Sequence, residues 1–229
     1  MLTVFMLLHL SFPVSAAEPY TDAAHFSAMG TTPSNLRLDG RVASDGEFAY
    51  YSVFEDGIYR TSLSSGGSTK IVSPSTLGAA SSDSCDFLFL NAAEGVLYFY
   101  YNGYGKAGGI YACRQDGGVS CILACNRIHY LGISDGRLVY SQSGEDIGAS
   151  DHGSGEYGFA EIPTYSMNTF YEMNLDGTGR HPLGAVIPVS SSWDLLVADG
   201  RICYVDVTNR DMPFYSVKLD GTDKTLLSA

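Results

Sequence analysis

The chain has 229 residues and a formal net charge of −12, with 17% charged residues, 26 Gly and 16 Tyr. This length is sufficient for one or two domains with a sizeable core. The few Lys and Arg residues are scattered, so the sequence excludes the basic surface that nucleic-acid binding needs and disfavours binding to an anionic membrane surface.

The N-terminal residues 1–17 have the pattern of a secretory signal peptide. A short apolar run, LTVFMLLHLSFPV, covers residues 2–14, and small residues follow it as far as Ala17. The run is too short to cross a bilayer comfortably, and no Lys or Arg precedes it. We therefore expect export and cleavage after Ala17, against the alternative of a buried N-terminal strand. The mature protein would then be secreted or at the cell surface, without stable insertion in the membrane.

After a polar lead-in at residues 18–35, one pattern occurs four times. An acidic-Gly turn precedes an alternating aromatic run, and a second Tyr-containing run follows. The turns are Asp45-Gly46, Glu94-Gly95, Asp135-Gly136 and Asp199-Gly200, and the second runs begin at Ile58-Tyr59, Ile110-Tyr111, Phe170-Tyr171 and Phe214-Tyr215. Self-similarity at about 40 to 50 residues is typical of arrays and propellers. Because the four acids occupy equivalent turn positions, we interpret them as structural rather than catalytic.

The four repeats cover about residues 36–73, 85–125, 127–184 and 193–228. In the first repeat we predict four strands, at Leu36–Ala43, Glu47–Val53, Gly57–Leu63 and Ser68–Val72. Four short antiparallel strands make one propeller blade. The sequence therefore predicts an all-β, β-propeller-like domain over 36–229 with four four-stranded blades. It is either a small closed ring, with residues 20–35 as a candidate closing strand, or an incomplete and truncated propeller.

The third repeat contains an insertion. Gly136 and Gly200 are 64 residues apart, whereas the two preceding intervals between turn glycines are 49 and 41. The additional residues lie within 142–167, between the second and third strands of the repeat. Loops of this length are usually functional or disordered. The side chains of this segment that could coordinate a cation are Glu145, Asp146, His152, Glu156 and Glu161. Their spacing does not match that of an EF-hand calcium loop, so we predict a solvated loop and no metal site.

Five cysteines occur, at positions 85, 113, 121, 125 and 203. Cys113 and Cys121 flank the turn at 116–118 symmetrically, and a three-residue hairpin loop would place them opposite each other. A cross-strand disulfide, which export would favour, is one interpretation. Buried free thiols that pack as small hydrophobes are the other. No set of His and Cys completes a zinc site.

The sequence contains no recognisable catalytic pattern. It has no Gly-x-Ser-x-Gly motif and no sialidase-type Ser-x-Asp-x-Gly-x-x-Trp turn. His129 opens a predicted strand, and we interpret it as structural. Trp193, which begins the fourth repeat, is a candidate for stacking on a ligand such as a sugar, against the alternative of ordinary blade packing. We therefore predict no catalytic, cofactor-binding or metal-binding residue.

At these anchors the sequence resembles a bacterial propeller family named for its similarity to the low-density lipoprotein receptor-related, YWTD-type β-propeller. The resemblance extends over nearly all of 36–228 and depends on Tyr50-Tyr51-Ser52, on Ile58-Tyr59-Arg60 and on the LDGT turns at 175–178 and 219–222. The YWTD tetrapeptide is replaced by Tyr-Tyr-Ser-Val and Tyr-Val-Asp-Val, and such propellers usually have six repeats rather than four. The receptor namesakes bind protein ligands and are not enzymes, so the resemblance implies binding.

We therefore expect an exported, non-enzymatic binding module. Variable loops such as 142–167 would engage a protein, a peptide or a glycan, because binding residues concentrate on loops held by a rigid scaffold. One alternative is an extracellular polysaccharide hydrolase with two carboxylates in one cleft. Another is a structural or sensory part of a larger, truncated protein. No cofactor and no nucleic-acid partner are expected.

Overall fold

The computed structural model of the protein describes residues 39–79, 84–103, 108–147 and 165–228, apart from the side chains of 145–147 and 193. In these ranges the chain forms sixteen β-strands and two 3-10 turns, Pro74–Leu77 and Ser192–Asp194. The strands make four antiparallel sheets of four, each in sequence order, which we name blades 1 to 4. The predicted β-propeller-like class is confirmed. No helix within the described ranges is long and apolar enough to cross a membrane.

Each blade is a simple meander of neighbouring strands. Blade 1 contains β1 (Val42–Ser44), β2 (Phe48–Val53), β3 (Gly57–Ser62) and β4 (Ser68–Val72), and blade 2 contains β5 (Cys85–Ala93), β6 (Val96–Gly103), β7 (Gly109–Arg114) and β8 (Val119–Ala124). Blade 3 contains β9 (Ile128–Ser134), β10 (Arg137–Ile147), β11 (Tyr165–Asn174) and β12 (His181–Val189), and blade 4 contains β13 (Leu195–Ala198), β14 (Arg201–Val205), β15 (Phe214–Lys218) and β16 (Thr225–Ser228).

The predicted repeats each contain one blade. In blade 1 the second, third and fourth strands lie within a residue of their predicted bounds. The first is shorter than predicted in its described part, and the predicted residues 36–38 lie outside the described ranges. In blade 3 the sheet continues to Val189, five residues past the predicted end of the repeat, because the end of β12 pairs with the beginning of β11, where Val189 is opposite Ser166.

The turns between first and second strands explain the repeated acids. Glu94, Asp135 and Asp199 have φ of 51°, 49° and 50°, and the glycines that follow them have φ of 70° to 72°. Positive φ at both central residues defines the type I′ turn, whose twist matches that of a hairpin. The first turn is one residue longer, and there the Asp45 carboxylate accepts from the backbone N–H groups of Glu47 and Phe48. These side chains therefore serve the turns.

On one face of every blade, a ring from the second strand packs on a ring from the third, and we name each pair an aromatic ladder. The pairs are Tyr51–Tyr59, Phe99–Tyr111, Tyr140–Tyr171 and Tyr204–Tyr215, with ring centroids 5.3, 5.8, 5.5 and 5.9 Å apart. Directly opposite positions on paired strands bring these rings together. A cation covers the ladder in three blades, at Lys70, Arg180 and Lys224.

The apolar core lies between the blades. One cluster joins blades 1 and 2 through Tyr50, Ile58, Phe87 and Phe99. A second and larger cluster runs from blade 2 through blade 3 to blade 4. Among the described residues, neither cluster joins blade 4 to blade 1. The blades are therefore packed in a row, with blade 1 and blade 4 at its two ends.

Candidate ligand-binding edge

The meander gives each blade two different edges. Connections from first to second and from third to fourth strand reach one edge, which we name the turn edge, and none of them exceeds six residues. Connections from second to third strand, and from one blade to the next, reach the opposite edge, which we name the loop edge. The connections there include 73–84, 148–164 and 206–213. All connections longer than six residues thus lie on the loop edge.

The insertion in the third repeat lies on the loop edge and is partly strand. β10 continues to Ile147 and β11 begins at Tyr165, with a register shift between Ser143 and Asp146. Residues 148–164 are outside the described ranges, and so are the side chains of Glu145 and Asp146. The cation site weighed for this segment therefore stays untested. Within the described residues, no group of three His, Cys, Asp or Glu side chains is placed to hold a metal ion.

An ion pair joins the inner strands of blades 1 and 2 at the loop edge. Arg41 Nη1 and Nη2 donate to Asp86 Oδ1 and Oδ2 at 2.7 and 2.5 Å. Asp86 is 4% exposed, and its Oδ1 also accepts from the backbone N–H of Phe87 at 2.9 Å. Bidentate pairs of this kind fix geometry as well as charge. The pair therefore locks the two blades together beside the loops.

The sequence contains one signal of this ion pair, which is the position of Asp86 in an apolar segment. Asp86 stands inside the apolar run Cys85–Leu90, and a carboxylate that is buried in a core is almost always paired. That argument predicts a cationic partner for Asp86, but the partner lies 45 residues away in another blade. Only the packing of blade 1 on blade 2 identifies it as Arg41.

A second polar cluster lies at the loop edge of blade 3. His129 Nδ1 is 2.9 Å from Asn168 Oδ1 and 3.0 Å from Ser143 Oγ, and Ser166 Oγ donates to Ser143 Oγ at 3.0 Å. Asn168 and Ser166 are buried. The serine and the amide contact the same nitrogen of His129, whereas a catalytic triad uses both ring nitrogens in different roles. The cluster therefore has the geometry of a structural network, in agreement with the interpretation of His129 as structural.

Three other described acids of the loop edge, Glu55, Asp56 and Asp194, also have partners. Glu55 accepts from Ser84 Oγ at 2.6 Å. Asp56 accepts from Lys70 and from Tyr59, and these bonds lower the pKa of its carboxyl. Asp194 Oδ2 accepts from the backbone N–H groups of Ser190 and Ser191 at 3.0 and 2.8 Å. These three carboxylates are therefore hydrogen-bonded within the molecule.

Trp193 lies in the 3-10 turn Ser192–Asp194, between blades 3 and 4 on the loop edge. The neighbouring Ser192 Oγ donates to Asp39 Oδ1 at 2.6 Å, and this bond links the segment before blade 4 to the segment before blade 1. The Trp193 side chain is not among those described. Its stacking on a ligand therefore stays a prediction, although its backbone is on the edge that such a role requires.

The register predicted for Cys113 and Cys121 is corrected. Cys113 pairs with Val119 and Cys121 with Tyr111, so the two cysteines are diagonal rather than opposite. The three-residue turn begins one residue earlier than predicted, because Arg114 rather than Gln115 closes it, with its N–H donating to Gly118 O at 2.9 Å. Diagonal Cα atoms are about 7 to 8 Å apart, beyond the usual reach of a disulfide. Cys113 and Cys121 are both free thiols in this structure. Burial raises the pKa of the Cys113 thiol to about 11.

Four meander sheets in a row, with short turns on one edge and the connecting loops on the other, define a β-propeller-like protein. No protein-family model matches the chain, and no curated protein matches it. Among solved structures it is similar to a chain from a study titled "Structural and Mechanistic Analysis of Two Prolyl Endopeptidases", with 9% identity and a TM-score of 0.45 over 82% of this chain and 26% of that one.

The chain is also similar to the tricorn protease, with 12% identity and a TM-score of 0.30 over 82% of this chain and 22% of that one. It spans about a quarter of the length of each of these two proteins. At these scores the similarities carry no argument about a site or an activity. The class assigned here depends on the strand order and pairing of the four sheets.

Proposed function

We propose that the protein is an exported, non-enzymatic binding module whose loop edge engages a protein, a peptide or a glycan. The observation that carries this proposal is the difference between the two edges. Every described turn-edge connection is short, while the long and variable connections share the loop edge. Scaffolds that hold variable loops on one side are the usual basis of recognition.

The rigid polar groups beneath the loops support the proposal. The Arg41–Asp86 pair and the cluster around Asn168 are fixed by several hydrogen bonds each. Groups that are already ordered lose little entropy when a ligand binds. Two exposed apolar side chains, Phe54 and Met212, stand on connections of the same edge and supply contact area.

Protein ligands are favoured by the resemblance to receptor-type propellers, and the signal-like residues 1–17 support export. The net charge of −12 supports a partner without a high negative charge, because like charges repel on approach. Family membership, export and the kind of ligand are all parts of the proposal.

The test is capture of the purified chain by defined probes. Insoluble peptidoglycan, chitin and cellulose would be used in pull-downs, and a random peptide library would be displayed against the immobilised protein. We expect at least one probe to bind, and the substitutions Phe54→Ser and Met212→Ser to weaken that binding. Gln115→Ser, on an exposed turn-edge connection, is the matched control and should not change it.

Two results would contradict the proposal. If binding to the probe is unchanged in Phe54→Ser and Met212→Ser but is lost in Gln115→Ser, then the ligand binds at the turn edge rather than the loop edge. Release of soluble sugar from a retained polysaccharide would show turnover, which favours the hydrolase alternative. Neither result depends on the identity of the natural ligand.

A further inference from the structure

The aromatic ladder of a blade packs against the blade before it. The ladder of blade 2 belongs to the apolar cluster shared with blade 1. The ladders of blades 3 and 4 belong to the cluster that runs from blade 2 to blade 4, and blade 4 contributes only the residues of its ladder face to that cluster. Phe99, Tyr140 and Tyr204 are accordingly buried. Three blades thus repeat one interface.

The ladder face of blade 1 is the exception. Tyr51 occupies the position of these three buried rings, yet it is only half-buried. Leu63, which follows β3, corresponds to Leu175 and Leu219 in blades 3 and 4. Each of these leucines follows the residue whose backbone N–H donates across the turn between the third and fourth strands. Leu175 and Leu219 pack against the core, whereas Leu63 is 58% exposed. Among the described residues, blade 1 therefore has the ladder face without the neighbouring blade that covers it elsewhere.

The face of a blade opposite its ladder carries a β-bulge in the fourth strand. In blades 1, 2 and 4 the bulge is one residue of the fourth strand that has no partner in the third strand, next to the residue that pairs with the ladder Tyr. These bulge residues are Ile71, Ile122 and Leu227. In blade 2 the bulge fits the next blade closely, since a Cβ at Gly177 would lie 2.7 Å from Ile122 Cγ2. In blade 3 the corresponding bulge bonds blade 4, with Ala185 N–H donating to Leu219 O at 3.1 Å.

The bulge of blade 4 has no such cover among the described residues, and Leu227 is 49% exposed. Exposed large apolar side chains also lie on the same two faces. Val42 and Val53 share the ladder face of blade 1 with Tyr51, and Phe214 lies on the face of blade 4 opposite its ladder. The two halves of one blade-to-blade interface are therefore exposed at opposite ends of the row. Large apolar surface of this kind marks an interaction site.

We propose that the partner is a second copy of this chain, bound head to tail, so that the ladder face of blade 1 packs on the bulged face of blade 4 from the other copy. A second copy is favoured because its blade 4 presents a bulged face. Within the chain, the ladder faces of blades 2, 3 and 4 already pack on bulged faces of this kind. Two copies joined in both directions make a ring of eight blades, which is within the range of known propellers. A head-to-tail contact closes into a ring when its rotation allows.

The proposal is tested by sedimentation equilibrium of the purified full chain. We expect a species of twice the mass of the denatured chain in the same preparation. Leu63→Glu and Leu227→Glu each place a charge in the proposed interface and should weaken dimerisation at least about 30-fold, the effect of removing an interface hot spot. Both side chains are exposed in the single chain, so both variants should fold, which circular dichroism would verify.

Val186→Glu is the matched control, because Val186 is 51% exposed but lies on blade 3, away from both end faces. It should leave the dimer unchanged. The double variant Leu63→Lys with Leu227→Glu restores opposite charges across the contact and should recover most of the lost affinity. A monomeric wild-type chain at high micromolar concentration overturns the proposal. So does a dimer that resists both end substitutions or that is weakened as much by Val186→Glu.

Discussion

The turn edge and the loop edge are built from the same strands, yet their polar side chains bond in different ways. On the turn edge, Asp176 and Asp220 accept from the hydroxyl and N–H of a threonine two residues later. On the loop edge, Arg41 and Asp86 are 45 residues apart, and His129 and Asn168 are 39 apart. Local bonds close each of these turns by itself, whereas the Arg41–Asp86 bonds exist only after blade 1 has packed on blade 2, and the His129–Asn168 contact only after the strands of blade 3 have paired.

This difference separates the parts of the chain that repeat from the parts that do not. A turn that is satisfied locally can be copied from blade to blade without adjustment. A contact between distant strands has to be arranged individually, and it fixes the position of the loops above it. Changes at the two edges should therefore differ in size, and the loop-edge ion pair should be the most costly to remove.

Asp86→Ala is the substitution with the largest expected effect. It removes both acceptors of the Arg41 guanidinium and the acceptor of the Phe87 N–H in a buried position. Breaking a buried pair by removal of one partner typically costs 3 to 5 kcal/mol, and the partial exposure of Arg41 reduces this, so we expect a loss of about 2 to 3 kcal/mol. Urea unfolding of both proteins would measure it.

Asp56→Ala is the control for that experiment, because Asp56 also pairs with a cation on the loop edge but in an exposed position. Exposed pairs contribute little to stability. We therefore expect almost no change in the free energy of unfolding. Equal losses for the two substitutions would show that the interblade position of Asp86 has no special importance.

Gly177→Ala should have the next largest effect, and the turn edge provides its own control in Gly117→Ala. The two glycines have φ of 86° and 85°, but a Cβ at Gly177 would meet Ile122 of blade 2 at 2.7 Å, whereas a Cβ at Gly117 would meet nothing within 4 Å. Positive φ costs an alanine about 1 kcal/mol at both sites. Overpacking adds about 1 kcal/mol at Gly177 only, for a total of about 2 kcal/mol.

Thermal or urea unfolding of the two glycine variants would measure the difference. If the two variants lose the same free energy of unfolding, then Ile122 moves aside at little cost and the turn of blade 3 is not tightly packed on the bulge of blade 2. That result would also weaken the proposed contact of Leu227 with a second copy, because the proposal takes Ile122 and Gly177 as its template.

Much of the fold could be predicted from the sequence because the repeated elements are local. Alternating aromatic residues define strands, and the acid-Gly pairs define turns, within windows of a few residues. The blades followed from counting these signals. The structural role of Asp135 and Asp199 followed from their equivalent positions, and the left-handed backbone of both residues explains it.

The remaining features depend on contacts that no local pattern encodes. The partner of Asp86 lies in another blade. The register of Cys113 was missed because the turn that follows it begins one residue earlier than predicted, and moving a turn along the chain changes every cross-strand pairing in the hairpin. The bulges at Ile122 and Leu227 also have no recognisable motif, and they were identified only by comparing the four sheets.

The smallest expected effect concerns a single turn-edge carboxylate. The Thr178 hydroxyl and N–H hold the pKa of Asp176 below its ordinary value. A lowered pKa in the folded state means stability that is present above the unfolded pKa and is lost as pH falls through the folded one. Thr178→Val removes the hydroxyl at 2.6 Å but keeps the N–H bond at 2.9 Å, so the pKa of Asp176 should rise part of the way.

Carboxyl carbon shifts followed by NMR through an acid titration would measure that rise, and Thr222→Val at the matching Asp220 turn repeats the test in blade 4. The variant should be slightly less stable than the wild type at neutral pH. The part of the difference that comes from the carboxylate should vanish below the lowered pKa, where both carboxyls are protonated, while the loss of the Asn174 Nδ2 bond to the hydroxyl remains. An unchanged pKa of Asp176 would mean that the backbone N–H alone stabilises the carboxylate. In that case the threonine of the LDGT turn would have some role other than holding the charge.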